Sequence, residues 1–528
     1  MSGDTYNDLY SDAYGSAIAG FTVAVDWDRD GDFTNTGDDV TSLVQRSRDV
    51  VTVEYGRDQS TALAPTVSGR GSFTLDNQSK RFSPRNTASP LYGKIKPARP
   101  VKISRTYTSA GDFFSDTFSD FFGGATAEKV LFIGHTDDSP INPDVDSKTV
   151  GLTLVDALAG FRGQTISTGL YAGLRTGEAI GVVLDECGWV GTRDLDFGAS
   201  VLPWWWEDST DALDALEKLV RCEGPPALLT VGVDGGIVFR DRHHRFIDTA
   251  SITSQSTWRN QGSIEPVMGR PFSYDEAWRN IINTGLISVD VRTPAATDAI
   301  WTLDSTVGFT ANETKTFIAS TSDPFMNAIA PVVGTDYELI SGSLTSVILS
   351  RTSGASTTIT LTAGGSGAHI DRLQLRAQPV TVAYTVQVTA SDAGSIADYG
   401  ARSFPSDLPF CNQYDAQDIL ETAIQMHADP LPIVSARFLI ADLAPKSRVA
   451  AALARDLSDR VTVVESETVL NDDFYVESIS HTFTGTYDHS VTFGLEAVPP
   501  AGTVTASDVF ILGSSVSGHR LGTGKLAA

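Results

Sequence analysis

The chain lacks several features that secreted and membrane proteins usually have. Its three cysteines, Cys187, Cys222 and Cys411, are few, odd in number and far apart, which indicates reduced thiols and not a disulfide-stabilised fold. No apolar run approaches the ~18 residues that a membrane-spanning helix needs. The first sixteen residues are polar and lack the basic and apolar regions of a signal peptide. We therefore expect no membrane span and assembly in a cytoplasm.

Basic side chains are also scarce. The sequence has 39 Lys and Arg against 65 Asp and Glu, a formal net charge of −26. This balance argues against a broad surface that binds nucleic acid through its phosphates. An acidic surface repels DNA, but a channel through which DNA slides should not bind DNA. The negative charge therefore does not exclude a protein through which DNA passes. We expect no specific nucleic-acid binding.

The usual signatures of catalysis are missing from the sequence. It has no His-Glu-x-x-His motif, no Gly-x-Ser-x-Gly elbow and no phosphate-binding loop ending in Lys-Ser/Thr. The adjacent His243 and His244 follow a predicted strand, where neighbouring side chains point to opposite faces, so one metal cannot easily use both. For Cys222, at the end of a predicted helix, a packing role is favoured. We predict no catalytic residue and no enzymatic activity.

What the sequence does contain is mostly β pattern. Its 528 residues exceed one core and predict about three to five domains. Alternating apolar residues predict strands at 21–26, 50–55, 69–75, 101–104, 130–135 and 149–155. Helical spacing predicts helices at 176–187, 208–223 and 415–426. Asp208 or Ser209 would cap the second helix, and a hairpin (228–233 and 237–240) follows it. The predicted fold class is mainly β with minor α (α+β).

Changes of composition divide the chain into six parts. The block 299–367 is low in charge and rich in turn residues, which is typical of a β-sandwich. We predict an N-terminal arm (1–20), a β domain (21–162), a small helix-plus-hairpin module (163–250), a β-rich region (251–390) with the sandwich insertion at about 299–367, a C-terminal domain (391–500) and a tail (501–528) that is flexible or ordered by a partner.

An acidic turn near the start is the best candidate for a metal site. Aspartates at alternate positions followed by Gly31 match the first part of a calcium loop, although its twelfth position is Gly37 and its flanks are strands. One interpretation is a short calcium site, and the other is a solvated hairpin tip, where Asp and Gly favour tight turns. The candidate ligands are Asp26, Asp28, Asp30, Asp32 and Asp38. No other cofactor is expected.

Two tryptophan segments offer a different kind of site. Trp204, Trp205 and Trp206 are consecutive, so they cannot present all three rings on one side, and at least one must enter a core. A structural or subunit-interface role is favoured over stacking on sugar. Trp301, inside the predicted sandwich, is the second candidate for sugar stacking.

The order of several short motifs points to a family. Leu-Asp-Asn (75–77) ends a predicted strand and is followed by Arg-Phe-Ser-Pro (81–84) and Arg-Pro-Val (99–101). Later, Tyr-Gly-Ala-Arg (399–402) precedes a helix, and Asp-Arg-Val-Thr-Val (459–463) leads to 474–481. The first series resembles the N-terminal module of minor tail proteins from long-tailed (siphovirus-type) bacteriophages of actinobacteria. The second resembles the final domain of tail hub (tail-tip) proteins. Together they cover roughly 20–250 and 375–500.

The resemblance implies a structural virion protein. Two barrel-like domains per chain would form a homotrimeric ring at the tail tip, assembled in the host cytoplasm. This baseplate hub would connect the tail tube protein, distal tail protein and tape-measure protein to the central fibre or other minor tail proteins, and would form part of the DNA-ejection channel. The alternatives are a hexameric distal tail ring protein and a host-receptor (carbohydrate) binding protein. A cell-wall hydrolase is a third, without a residue set to support it.

Overall fold

A computed structural model of the chain describes residues 21–44, 51–57, 66–108, 126–137, 141, 143–261, 266–405, 407–440, 446–484 and 488–499. The predicted arm (1–20) and tail (501–528) lie outside these residues. Within them the protein is mainly β with a smaller helical part and several sheets, which confirms the predicted fold class. None of the described helices is long and apolar enough to cross a membrane.

The strands are numbered in chain order. They are β1 (Phe21–Val25), β2 (Val51–Arg57), β3 (Thr66–Asp76), β4 (Pro100–Thr108), β5 (Thr126–Thr136), β6 (Thr149–Val155), β7 (Thr165–Ile166), β8 (Leu174–Arg175), β9 (Arg193–Leu195), β10 (Val201–Leu202), β11 (Thr210–Asp211), β12 (Leu228–Val231), β13 (Ile237–Arg240), β14 (Thr257–Arg259), β15 (Gly269–Asp275), β16 (Thr284–Pro294), β17 (Asp298–Leu303), β18 (Val307–Phe309), β19 (Thr314–Ser320), β20 (Phe325–Ile329), β21 (Glu338–Arg351), β22 (Ser356–Asp371), β23 (Leu373–Ser391), β24 (Ile433–Ile440), β25 (Arg460–Glu465), β26 (Leu470–Thr484) and β27 (Asp488–Ala497).

The α-helices lie mostly in the middle of the chain. They are α1 (Thr176–Glu186), α2 (Ala212–Glu223), α3 (His244–Ile247), α4 (Thr249–Ile252), α5 (Ala393–Tyr399), α6 (Gln413–His427) and α7 (Lys446–Leu453).

The first and last parts of the chain form one sheet of twelve strands. Ten strands follow the hydrogen-bonded order β1-β4-β5-β6-β3-β2-β26-β27-β24-β15, and β14 and β25 branch from β26. Buried residues alternate with half-buried or exposed ones along strands such as β6 and β25, so one face of each covers a shared core. In this core Trp258 lies 4.9 Å from both Phe438 and Phe493, measured between ring centroids.

The two halves of this sheet meet at β2 and β26. The antiparallel register runs from Val51 opposite Phe483 to Gly56 opposite Ser478. The ring of Phe21 in β1 lies 4.8 Å from that of Phe483 in β26, although the two strands are far apart in the order of the sheet. The N-terminal half of the sheet is therefore strongly curved. In the described residues no hydrogen-bonded pairing of β1 with β26 closes this half into a barrel.

A second core belongs to the middle of the chain. It is covered by α1, α2, α6, the β12–β13 hairpin and one face of β16 and β23. The predicted helices and hairpin are present, but the predicted start of α2 is wrong. Asp211, and not Asp208 or Ser209, caps it, because the Asp211 carboxylate accepts the N–H groups of Leu213 and Asp214.

Strands β17–β22 and the first part of β23 form an insertion with its own core, in the region where the sequence predicts a sandwich. One layer is β17 and β20 paired with the first part of β23, and the other is β18-β22-β19 with β21. The 19-residue strand β23 belongs to both the insertion and the body, because it pairs first with β17 and β20 and then with β16. Pro294 and Val380 are cross-strand partners, so the insertion leaves and rejoins the body at one point.

A substitution at Gly56 tests how closely β2 and β26 pack where the two halves of the large sheet meet. The φ of Gly56, 113°, is rare for other residues, and a Cβ there would lie 2.3 Å from the carbonyl oxygen of Glu477. We expect Gly56→Ala to lower the free energy of unfolding by about 2–4 kcal/mol, from backbone strain and overpacking together. Urea denaturation measures this change.

Gly93 provides the matched control. Its φ is 78°, but nothing lies within 4 Å of a Cβ built there. Gly93→Ala should therefore cost only the backbone strain, about 1 kcal/mol. Equal losses in the two variants would contradict a tight contact between β2 and β26.

Candidate functional site

The acidic turn follows β1 and is organised by Asp26. This carboxylate is fully buried, and its two oxygens accept the N–H groups of Arg29, Asp30 and Gly31 at 2.5, 3.3 and 2.9 Å. The sequence folds this way because Asp readily accepts hydrogen bonds from the backbone that follows it, and Gly31 takes a positive φ of 85°. Asp26 is thus committed to the backbone of the turn.

Three of the other candidate ligands, Asp28, Asp30 and Asp32, have separate partners. Asp28 forms an ion pair with Lys94 at 2.6 Å, Asp30 accepts from Asp32 N–H and the Asn35 side chain, and Asp32 accepts from Thr34. Hydrogen bonds from Thr34 lower the pKa of Asp32. The described residues contain no group of three or more side chains that could hold a metal ion.

Asp38 is the exception within the turn. It is buried, and among the described residues its Oδ2 has no hydrogen-bond partner. Burial raises its pKa, opposed by the Trp27 N–H and reinforced by the charges of Asp26 and Asp28. An unpartnered carboxylate oxygen close to two other carboxylates is where a cation would act, so calcium is kept as a proposal centred on Asp38.

The turn also covers the outer edge of β1. Val25 N–H donates to Asp38 O at 2.9 Å, and Val40 N–H donates to Val23 O at 3.0 Å. An uncovered edge strand offers free backbone groups to other chains. The acidic turn therefore returns the chain along β1 and closes that edge.

A buried cluster of charges lies where three parts of the chain meet. Arg245, which belongs to α3, donates to Glu477 Oε1 at 2.5 Å, and Arg57 of β2 lies 3.6 Å from Glu477 Oε2. Arg57 also donates to the carbonyl oxygens of Pro226 and Ala227 in the helical module. Burial, followed by the charge of Glu477, raises the pKa of Glu496 beside the cluster to about 7. Removing one member would leave a buried charge unpaired.

Two histidine pairs have different environments. His481 Nδ1 and His489 Nε2 lie 3.1 Å apart inside the large sheet, and His489 stacks on Phe483. Burial lowers the pKa of His481 to about 3 and that of His489 well below its usual range, so both are neutral. His243 and His244, predicted to follow a strand, lie at the start of α3, where His244 Nδ1 is 2.9 Å from Asp196. Neither arrangement is a metal site in the described residues.

The tryptophan triplet divides as the sequence predicts. Trp205 is fully buried in the second core, whereas Trp204 and Trp206 line a groove with a volume of about 690 Å³. The groove lies between residues 288–292 of β16 and residues 408–414 at the start of α6. Its volume is in the range of about 300–1,000 Å³ that ligand pockets occupy.

Aromatic rings and a strained residue shape this groove. The Trp206 ring lies 5.6 Å from Phe410 and 5.3 Å from the Arg292 guanidinium, and Tyr414 is 68% exposed at the rim. Phe410 has a φ of 63°, which is rare for a bulky side chain. Because these residues come from four separated segments, the sequence alone did not bring them together. Trp301 lies elsewhere, partly buried against the core of the sandwich.

The cysteines take packing positions. Cys222 and Cys411 are buried in the second core, where the Cys411 thiol donates to Cys222 O at 3.2 Å. Burial raises the pKa of Cys222 well above its usual value, which disfavours a reactive thiolate. The predicted packing role of Cys222 fits this environment.

Three bacterial or prophage tail proteins are among the solved structures to which the chain is similar. A tail protein from Neisseria meningitidis has a TM-score of 0.45 at 10% identity, covering 90% of this chain and 96% of its own. A prophage MuSo2 43 kDa tail protein from Shewanella oneidensis has 0.44 at 10%, covering 92% and 99%. A prophage tail protein from Listeria monocytogenes has 0.36 at 8%, covering 92% and 96%. No family model and no curated protein matches the chain.

Asp26→Asn tests the organisation of the acidic turn. We expect a loss of about 1–3 kcal/mol in the free energy of unfolding, because an amide nitrogen cannot accept the backbone N–H groups that the carboxylate binds. Asp28→Asn removes only an exposed ion pair and should cost less than about 1 kcal/mol. Chemical denaturation of both variants measures the difference, and equal costs would contradict the special role of Asp26.

Melting with calcium and with a chelator tests the metal proposal. A cation at Asp38 should raise the melting temperature of the natural chain, because it neutralises a buried carboxylate beside two others. Asp38→Asn should abolish this rise in melting temperature. Asp28→Asn, which removes the carboxylate that pairs with Lys94, should only weaken it. Unchanged melting of the natural chain under both conditions would remove calcium from the turn.

The histidine pair predicts a pH dependence of stability. Both folded pKa values lie below the ordinary value of 6.5, so the unfolded chain binds more protons once the pH falls below that value. Their contribution is complete above pH 6.5 and is lost toward about pH 3, approaching about 1.4 kcal/mol per pH unit for each histidine.

His489→Gln should therefore reduce the slope of unfolding free energy against pH below 6.5. The raised pKa values of Glu496 and Asp459 act in the opposite sense in both proteins, so the comparison must be between variant and natural chain. His369→Gln, a histidine outside the large sheet, is the control. A parallel profile for His489→Gln would show that this histidine is protonated in the folded state.

Proposed function

We propose that this chain is a structural, non-enzymatic protein of a bacteriophage virion, the hub at the tip of a non-contractile tail, in a phage of actinobacteria. One observation carries the proposal. The two segments that carry the resemblance, roughly 20–250 and 375–500, are far apart in sequence, yet their strands β1–β6 and β24–β27 belong to one sheet that is continuous across β2 and β26. A shared sheet fixes the two halves relative to each other, which supports a hub that presents both of them in one ring.

The buried cluster supports a rigid hub. Glu477 of the C-terminal half contacts Arg57 of the N-terminal half and Arg245 of the middle module. All three side chains are nearly inaccessible to water, so separating the parts would expose unpaired charge. Such a joint suits a protein that connects the tail tube and distal tail protein to the tape-measure protein and a central fibre.

The charge of the chain supports a role beside DNA without binding it. With a net charge of −26, the protein repels a polyanion, as the wall of an ejection channel should. In this proposal three copies form the ring, and DNA passes through it at genome ejection.

Host attachment through sugar is the second candidate function. Trp301 gives it little support, because the ring packs partly against the sandwich core. The groove at Trp204 and Trp206 gives it more, since these rings face an open cavity. The sandwich insertion is a separate unit that a receptor-binding role would need.

Counting copies in isolated particles tests the hub proposal. We expect three copies per tail tip, visible as a threefold ring below the tail tube by electron cryomicroscopy and in stoichiometry by quantitative mass spectrometry. Six copies would instead support the distal tail ring. Absence of the chain from purified particles would overturn a structural role in the virion.

Removing the insertion separates the hub from the receptor function. Residues 295–379 can be replaced by a two-residue Asn-Gly turn, because Pro294 and Val380 are cross-strand partners and such a turn joins antiparallel strands. The hub proposal expects assembled tails and unchanged adsorption to host cells. Assembled tails that fail to adsorb would assign attachment to the insertion. Trp301→Ala is the matched point variant.

A further inference from the structure

The groove runs along an unpaired edge of β16. Residues 288–292 line it consecutively, although neighbouring side chains in a strand point to opposite faces. Consecutive residues can therefore line one groove only if the backbone edge of the strand faces it. In the described residues β16 pairs with β23 on one side and ends its sheet on the other.

The register identifies which backbone groups face the groove. Thr284 directs its N–H to Arg402 O and its C=O to Phe404 N–H, away from β23, so Thr284 and Ser391 are a non-hydrogen-bonded pair. Such pairs alternate with hydrogen-bonded ones in antiparallel sheets, so Gly285, Ile287 and Val289 direct their groups to β23. Leu286, Ser288 and Asp290 therefore direct three N–H and three C=O groups outward.

Both ends of this edge already have hydrogen-bond partners, and at Thr284 the pairing is that of a parallel strand. Thr284 N–H donates to Arg402 O at 3.1 Å, and Phe404 N–H donates to Thr284 O at 2.8 Å. At the other end the Trp204 indole N–H donates to Arg292 O at 3.2 Å. The stretch between them has no backbone partner among the described residues.

The surroundings of this edge define what could cover it. Leu286 is 60% exposed and Tyr384 is 57% exposed, so apolar surface lies beside the unpaired groups. Asp290 is an exposed carboxylate that accepts only from Thr385 among the described residues, in a chain of strongly negative charge. A sugar would use the rings but would leave the row of backbone groups without partners of matching spacing.

We propose that this groove binds an extended peptide of another protein, which adds to β16 as a strand alongside Leu286–Asp290. The peptide continues the parallel pairing that residues 402–404 begin with Thr284. Its alternate side chains are apolar and contact Trp206 and Tyr384, and a basic side chain faces Asp290. Strand addition supplies backbone hydrogen bonds for affinity and side-chain pockets for specificity. The inference does not depend on a position at the tail tip.

A library of synthetic octapeptides with alternating apolar residues and one lysine tests the proposal on the full chain. Hydrogen exchange is the readout, because strand addition must slow exchange of the outward N–H groups of Ser288 and Asp290. The best peptide is then compared with a copy N-methylated at alternate residues, which keeps its side chains but lacks donors. We expect the methylated copy to bind about tenfold or more weakly.

Two variants of one residue provide the matched comparison. Ser288→Pro removes an outward N–H without removing a bond to β23, and proline is tolerated on edge strands. Ser288→Thr keeps the N–H. We expect Ser288→Pro to weaken binding about tenfold or more and Ser288→Thr to bind like the natural chain.

Three results would overturn the proposal. The first is equal binding of the methylated and unmethylated peptides, which would reduce the groove to side-chain contacts. The second is a library with no member that protects Ser288 and Asp290. The third is protection by oligosaccharides of N-acetylglucosamine but by no peptide, which would assign the groove to sugar. None of these results alters the copy number in the particle, so the hub proposal is tested separately.

Discussion

Glu477 is the side chain on which the packing of three parts of the chain depends. Its two oxygens face Arg245 of the middle module and Arg57 of the N-terminal half, while its own strand belongs to the C-terminal half. Paired charges away from water contribute little net stability but oppose any arrangement that separates them. The cluster therefore specifies how three parts pack, and Gly56, beside Arg57, lets the two backbones approach closely enough for it to form.

The acidic turn shows how one composition serves two kinds of structure. Alternating aspartates before a glycine favour calcium, yet the same residues accept hydrogen bonds from the backbone that follows them. In this chain Asp26 faces inward and organises the turn, and Asp38 returns along β1. The β1 edge of the large sheet is thereby covered by its own chain, whereas no described residue covers the edge of β16, in a different sheet, at Leu286, Ser288 and Asp290.

Local patterns predicted the elements better than their arrangement. The alternation of apolar and polar residues correctly predicted β6 at Thr149–Val155. Because the three tryptophans are consecutive, the sequence also correctly predicted that at least one of their rings is buried. The cap of α2 was wrong because Asp208, Ser209 and Asp211 are all suitable caps, and the pairing of β11 with β7 decides among them. The β2–β26 joint and the groove depend on contacts between distant segments, which no single segment encodes.

Strand β23 gives the molecule a mechanical property. Because it runs unbroken from the insertion into the body, a pull on the insertion acts along the strand axis. Its eleven paired residues with β16 then carry the load together in shear, instead of separating one after another. The Arg292–Asp323 ion pair and the close approach of Gly354 to Trp206 connect the insertion to the rest of the chain beside this strand. Tension on the outer unit would therefore reach the wall of the aromatic groove directly.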